Sequence, residues 1–318
     1  MTMQSEKVAL LFPGQGSQYV GMGKDFYQTF KVAEDVFVEA GDSLNQDLAD
    51  ICFKAPREEL NKTENTQPAI LTSSIATLKV LMQEYGIKPV ILAGHSLGEY
   101  SALVAAGVIS FYDAVQVVRA RGKFMQTAVP LGFGTMAAVL GMKNEQLENI
   151  CRETTNPARD KIVEPANYNC PGQVVISGHV KAVDEATLKA KNEGASRAVK
   201  LPVSAPFHCS LMEPAARKLA EKFPAVQVNE PQIPVISNVD ADTNYSIDKT
   251  SDLLIRQVSN TVRWEESMNL MIAQGITRII EVGPGRVLSG LMKRINRRVK
   301  THTVENVADL KKLAEVIG

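Results

Sequence analysis

The sequence has little of what marks the specialised classes of protein. Its four cysteines, Cys52, Cys151, Cys170 and Cys209, are scattered, with no CxxC pair and no metal-type spacing. In a chain of this size they read as buried or free thiols of a reducing compartment, which sets aside a disulfide framework and a zinc site. Charge of either sign is not in excess, since 35 basic residues face 35 acidic ones. A dedicated nucleic-acid binder normally shows a basic surplus, so that class is excluded as well. No run approaches the roughly 18 apolar residues of a membrane span. The polar start leads only to Val8-Ala-Leu-Leu-Phe12, too short for a signal-peptide core and stopped by Pro13. Internal repeats and low-complexity segments are missing too. These absences leave a soluble chain expected in the cytoplasm, with 318 residues, enough for about two domains.

What is present is an alternation of strand and helix patterns. Val8 to Phe12 suits a buried strand feeding a loop at Pro13-Gly14. Residues 66–86 read as a helix, with Thr66 as cap, Pro68 in the first turn, Leu71, Ile75, Leu78, Met82 and Tyr85 on one stripe, and Gly86 as terminator. Pro89-Val-Ile-Leu-Ala93 reads as a second strand, followed by a sharp turn and a helix rich in small residues. Arg278-Ile-Ile-Glu-Val282 repeats the theme before Gly283-Pro284-Gly285 and a helix over 286–295. This rhythm predicts a parallel sheet covered on both faces.

The rhythm changes over residues 130–201. Strand 136–140, helix 143–153, strands 163–169 and 173–177 joined at Cys170-Pro171-Gly172, helix 182–192 and strand 197–201 give the order β-α-β-β-α-β of a ferredoxin-like unit. The expected fold class is α/β, with a large α/β-hydrolase-like domain formed by residues 1–128 and 203–318. A small ferredoxin-like domain, residues 129–202, is inserted into it.

The chemistry gathers at Gly94-His95-Ser96-Leu97-Gly98, a G-x-S-x-G directly after a predicted strand and before a predicted helix. A serine on so tight a turn projects its hydroxyl above the sheet edge, and the flanking glycines leave room for the crowded backbone. The Leu97 N–H, at the helix start, then points where an oxyanion would form. An ordinary glycine-rich turn with a capping serine is the bland alternative. Serine needs a base to take its proton, and the chain offers four histidines. His95 adjoins the serine and should point away from it. His179 lies in a turn-like Ser-Gly-His, and His302 in a polar tail after a basic run. His208 lies in the loop segment 204–210 just before an apolar-striped helix, a reasonable place for the partner of an elbow serine, although spacing alone does not choose it. Gly14-Gln-Gly16 fails as a dinucleotide fingerprint because Tyr19 stands where the third glycine belongs. The basic run from Lys293 to Lys300 reads as a solvated helix face or as a surface for an acidic partner.

Several motifs in order resemble those of the malonyl-CoA:acyl carrier protein transacylases. They are Phe12-Pro-Gly-Gln-Gly-Ser-Gln18, Gly94-His-Ser-Leu-Gly-Glu-Tyr100, Arg121-Gly-Lys-Phe-Met-Gln126, Pro206-Phe-His-Cys209, Gln257 ahead of Val262-Arg-Trp264, and Glu281-Val-Gly-Pro-Gly285. The resemblance covers the chain from end to end. It implies Ser96 as nucleophile, His208 as general base held by the main-chain carbonyl of Gln257, and the amides of Gln15 and Leu97 as oxyanion hole. It implies Arg121 as the grip on the malonyl carboxylate, which a planar guanidinium can hold with two parallel hydrogen bonds. Arg119 is an equal candidate by composition, and only the motif's register selects Arg121. Met125 and Phe207 are expected to wall the acyl pocket, with Asn167 close by. No metal or bound redox cofactor is implied. Malonyl-CoA and an acyl carrier protein are the expected partners, and a monomer is the default state. A serine hydrolase or thioesterase, a non-enzymatic scaffold, and a freestanding polyketide acyltransferase are the rival readings.

Overall fold

The computed structural model describes residues 7–203 and 205–317; the first six residues, Ser204 of the 204–210 segment and Gly318 lie outside the described residues. Among the described residues nine strands form two sheets. They are β1 (Val8–Phe12), β2 (Ile91–Gly94), β3 (Gly134–Leu140), β4 (Val163–Cys170), β5 (Gln173–His179), β6 (Arg197–Lys200), β7 (Val235–Ile236), β8 (Arg278–Val282) and β9 (Lys300–Val304).

The first sheet runs β7-β2-β1-β8-β9, and every pairing in it is parallel. Successive side chains of a strand face opposite ways, so a parallel sheet covered on both sides needs two cores. Leu10, Phe12, Leu92 and Ile280 join the larger core on one face. Ala9, Leu11, Ile91, Ala93 and Ile279 join a second core on the other, with Trp264 and Met268. This explains why these strands read as unbroken apolar runs.

The helix Thr63–Tyr85 is buried along most of its length. It begins a turn earlier than the sequence pattern suggested. Thr66 does not cap it; its hydroxyl donates back to the carbonyls of Leu60, at 2.6 Å, and Lys62. Asn65 is fixed at the same end by donating to the Glu59 carbonyl, so the chain before Thr66 is drawn into the helix and Pro68 falls inside it. The far end matches expectation: Gly86 adopts φ 57° and its N–H closes on the Met82 carbonyl.

The second sheet is antiparallel, in the order β4-β5-β3-β6. The helices Asn144–Thr154 and Val180–Asn192 pack on it around a core of its own that includes Val139, Leu147, Ile150, Ile176 and Val183. Its element order and strand order are those of a ferredoxin-like unit.

The C-terminal part departs from the sequence reading. The helix Val287–Ile295 stops within the basic run, Asn296 turns extended, and Lys300 opens β9. The run therefore spans a helix end, a turn and a strand start, not one helical face. His302 sits on this edge strand, not in a tail, because Thr301, Thr303 and Val304 carry the β-branched side chains that suit a strand against β8.

Two backbones cross where β1 and β2 end. A Cβ on Gly98 would stand 2.0 Å from the Phe12 carbonyl oxygen, and one on Gly94 would stand 1.9 Å from the Gly98 backbone. Neither neighbour can yield, since both are main chain. Gly98→Ala should lower stability by about 3 kcal/mol or more in urea denaturation. Gly275→Ala, at φ 84° with only the Lys7 amine within 4 Å, should cost about 1–2 kcal/mol.

Candidate active site

β2 runs straight into the helix Leu97–Ala105, leaving only His95 and Ser96 for the turn. Ser96 is forced to φ 51° and ψ −104°, a strained backbone for a residue with a side chain. The turn is tied down on several sides. The His95 N–H donates to the Phe12 carbonyl at 3.1 Å, and the Gly98 N–H to the His95 carbonyl at 2.9 Å. The Ser96 N–H donates to Asn238 Oδ1 at 2.7 Å, while Asn238 Nδ2 donates to the Gly94 carbonyl at 2.8 Å. Leu97 opens the helix, so its N–H is one of the first-turn amides without a helical acceptor.

His208 reaches the serine from a distant loop and is itself held at φ 58°. Ser96 Oγ lies 2.7 Å from His208 Nε2, and His208 Nδ1 lies 2.8 Å from the main-chain oxygen of Gln257. A carbonyl can only accept, which puts the imidazole proton on Nδ1. Nε2 is left with a lone pair for the serine hydroxyl to donate to. Burial first, and the nearby Arg121 cation second, pull His208 from 6.5 down to about 3. The imidazole is held neutral.

Arg121 projects inward from the helix Phe111–Thr127 and is 1% exposed. It donates from NH1 to Gln67 Oε1 at 2.9 Å, and from NH2 to Gln257 Oε1 at 2.8 Å and Ser96 Oγ at 3.1 Å. Its guanidinium carbon stands 5.5 Å from the centre of the Tyr100 ring. Arg119 faces elsewhere, donating to Gln46 and Asn65. Geometry thus separates two arginines that composition could not.

These groups open on an inner cavity of roughly 110 Å³. Gln15, Leu97, Met125, Asn167 and Phe207 line it together with Ser96, Arg121 and His208, so eight of the nine expected residues meet at one space, and Gln257 stands behind it. His95 also touches this space, but its Nε2 bonds Asn169 Oδ1 at 2.9 Å and its ring packs near Trp264. His179 is engaged elsewhere, its Nδ1 accepting from the Ile162 N–H. A larger hollow of about 540 Å³ near Tyr27 and Asp47 holds no nucleophile beside a base.

Sequence reasoning missed four residues. Gln67 pins one side of Arg121, and Asn238 clamps the elbow. Glu99 is fully buried, and burial raises its carboxyl from 4.5 to about 7, against the opposing pull of Tyr245, Gln257, the Asn238 amide and Arg121. Tyr245 and Gln257 both donate to it. The signal for Glu99 was present: an acid in the first turn of an otherwise small and apolar helix, three residues after the serine. Nothing in the sequence singled out Gln67, Asn238 or Tyr245.

A serine on a strained elbow, paired with a neutral histidine and facing a buried cation, defines a protein built for acyl transfer through serine. The acyl transferase domain family model matches residues 9–315. The malonyl CoA-acyl carrier protein transacylase of Bacillus subtilis is 51% identical over 300 residues, covering 94% of each chain. An acyl carrier protein S-malonyltransferase structure from Vibrio cholerae superposes with a TM-score of 0.93 at 47% identity, covering 97% of this chain and 100% of that one. A malonyl-transacylase solved in complex with a type II polyketide acyl-carrier protein gives a TM-score of 0.94 at 46% identity, covering 98% of this chain and 100% of that one. The chain belongs to the malonyl CoA-acyl carrier protein transacylase family.

The lowered His208 value has a direct consequence. Neutral imidazole is the proton-accepting form, and with the value near 3 it persists as pH falls through 6.5. Acylation of Ser96 by an uncharged ester such as p-nitrophenyl acetate should hold its rate across that range and decline only at clearly lower pH. A half-maximal rate near 6.5, the ordinary imidazole value, would contradict this.

Proposed function

We propose that the protein moves a malonyl group from CoA to the phosphopantetheine thiol of an acyl carrier protein, for fatty-acid synthesis, through malonyl-Ser96. The observation that carries this reading is the buried guanidinium of Arg121, 3.1 Å from the Ser96 hydroxyl. A serine hydrolase of neutral esters has no use for a cation there, whereas a malonyl unit ends in a carboxylate. Arg121 lines the cavity, and a carboxylate displacing the contact to Ser96 takes two parallel N–H donors from the guanidinium.

The steps follow from the geometry. Ser96 Oγ attacks the thioester carbonyl carbon as its proton passes to His208 Nε2. The amides of Gln15 and Leu97 receive the charge that develops on the carbonyl oxygen. The C–S bond breaks, and CoA leaves as a thiol with the proton that His208 returns. The carrier's thiol then gives its proton to the same Nε2 and attacks the acyl-serine, whose C–O bond breaks to restore the Ser96 hydroxyl. A carboxylate on Arg121 also offsets the cation that depresses His208, so the substrate strengthens the base that acts on it. Met125, Phe207 and Asn167 line the cavity, which supports a role for them in walling the acyl group.

A polyketide carrier is a second acceptor worth testing, since a solved relative at 46% identity is bound to one. Intact-protein mass after brief exposure to malonyl-CoA tests the main reading. A malonyl adduct is expected on the wild type, none on Ser96→Ala, and one formed about a hundredfold or more slowly on Arg121→Ala. Carrier proteins of the two pathways, added separately, should discharge it at different rates. Steady release of free malonate without a carrier would identify a hydrolase instead.

A further inference from the structure

The Glu99 carboxylate bonds neither the Ser96 hydroxyl nor the cavity lining, although its N–H donates to the Ser96 carbonyl at 3.1 Å, yet its contacts decide how the cation is presented. It lies in the first turn of the helix Leu97–Ala105 and is fully buried. Its Oε1 accepts from the Tyr245 hydroxyl and from the Asn238 N–H at 3.0 Å. Its Oε2 accepts from the side-chain amide of Gln257. That amide nitrogen makes a second donation, to the Ser96 carbonyl at 2.8 Å, and Gln257 Oε1 then faces Arg121 NH2 at 2.8 Å.

A primary amide has one end that only donates and one that only accepts, and the two are nearly the same shape. What fixes its direction is the neighbours. An ionised carboxylate at position 99 accepts only, and so does the Ser96 carbonyl. Together they hold the Gln257 nitrogen on their side and turn its oxygen to the guanidinium. The reversed amide would set Gln257 Oε1 against two acceptors and its NH2 against a cation.

We infer that Glu99 is a positioning residue for malonyl selection: by fixing the direction of the Gln257 amide it holds Arg121 in the pose that receives the acyl carboxylate. Among the described residues no ion pair joins Glu99 to Arg121 directly, so the acid steers the cation without occupying it. Gln257 thus has two separable duties. Its main-chain carbonyl, which holds His208, is set by the helix Ile247–Ser259 and does not depend on the side chain. Its side-chain amide answers to Glu99. The acid therefore acts on the choice of acyl group and leaves the Ser96–His208 pair alone.

This inference rests on the proposed role of Arg121, and the experiment keeps the two apart. Glu99→Gln preserves shape and leaves Oε1 to accept from Tyr245 and Asn238, replacing only Oε2 with an NH2 that opposes the Gln257 amide. The wild type and the variant are compared at about pH 8, above the raised Glu99 value of about 7, with malonyl-CoA and with p-nitrophenyl acetate as acyl donors. The expected result is a loss of roughly tenfold or more in malonyl acylation of Ser96, with less than about a twofold change in acetyl acylation. Equal losses with both donors would mean that Glu99 only supports the structure, and no loss would mean that it does not steer Gln257; either overturns the inference. Should Glu99→Gln fail to fold, Glu99→Asp retains the charge but withdraws the carboxylate by about 1.5 Å. It must show the same malonyl-specific loss. A wild type that takes acetyl from the ester but no malonyl from CoA would overturn the Arg121 reading itself, and this inference with it.

Discussion

Burying the Arg121 cation costs several kcal/mol in lost hydration, and its surroundings are arranged to offset that cost without neutralising the charge. Gln67 and Gln257 give it neutral acceptors, and the face of Tyr100 lies nearby. The one acid close enough to matter, Glu99, is kept a residue away behind Gln257. A direct ion pair would be the easier way to bury an arginine, but it would leave nothing for a ligand. Supporting the cation with dipoles preserves its full attraction for an incoming carboxylate, in an interior where charges act strongly on one another. The same cation lowers the basicity of His208, so one guanidinium bears on both the cavity and the imidazole.

The second constraint is the elbow. Ser96 and His208 both carry positive φ angles, and each is held there by contacts from remote parts of the chain. Asn238, just beyond the two-residue strand β7, bridges the main chain across His95, from the Gly94 carbonyl to the Ser96 N–H. The glycines at 94 and 98 let backbone meet backbone with no side chain between. The short edge strand therefore does more than extend the sheet: it brings the clamp for the nucleophile to the point where β2 ends.

Much of this was legible in the sequence, for identifiable reasons. The buried strands, the ferredoxin-like unit and the elbow are local patterns, each written in one stretch of chain. Arg121 against Arg119 was not legible from composition, because which face of a helix turns inward depends on what packs there. The start of the Thr63–Tyr85 helix was misplaced because Thr66 looks like a cap and in fact bonds backwards to Leu60. β9 was hidden by the basic run before it, after which its polar residues read as a tail until β8 supplied a partner. Gln67, Asn238 and Tyr245 were invisible because their meaning lies in partners 54 to 146 residues away, and nothing about a lone amide or phenol announces such a partner.

The histidine is oriented by a carbonyl dipole where many serine enzymes place an anion. Burial first and the Arg121 cation second weaken the ring as a base, and among the described residues no carboxylate bonds it to oppose them. A thiol, which ionises near 8.5, gives up its proton far more readily than water, which ionises near 15.7. A feeble base is therefore better matched to the first than to the second. In the proposed reaction so weak a base would act as a chemical filter, favouring handover of the acyl group to sulfur over its loss to solvent.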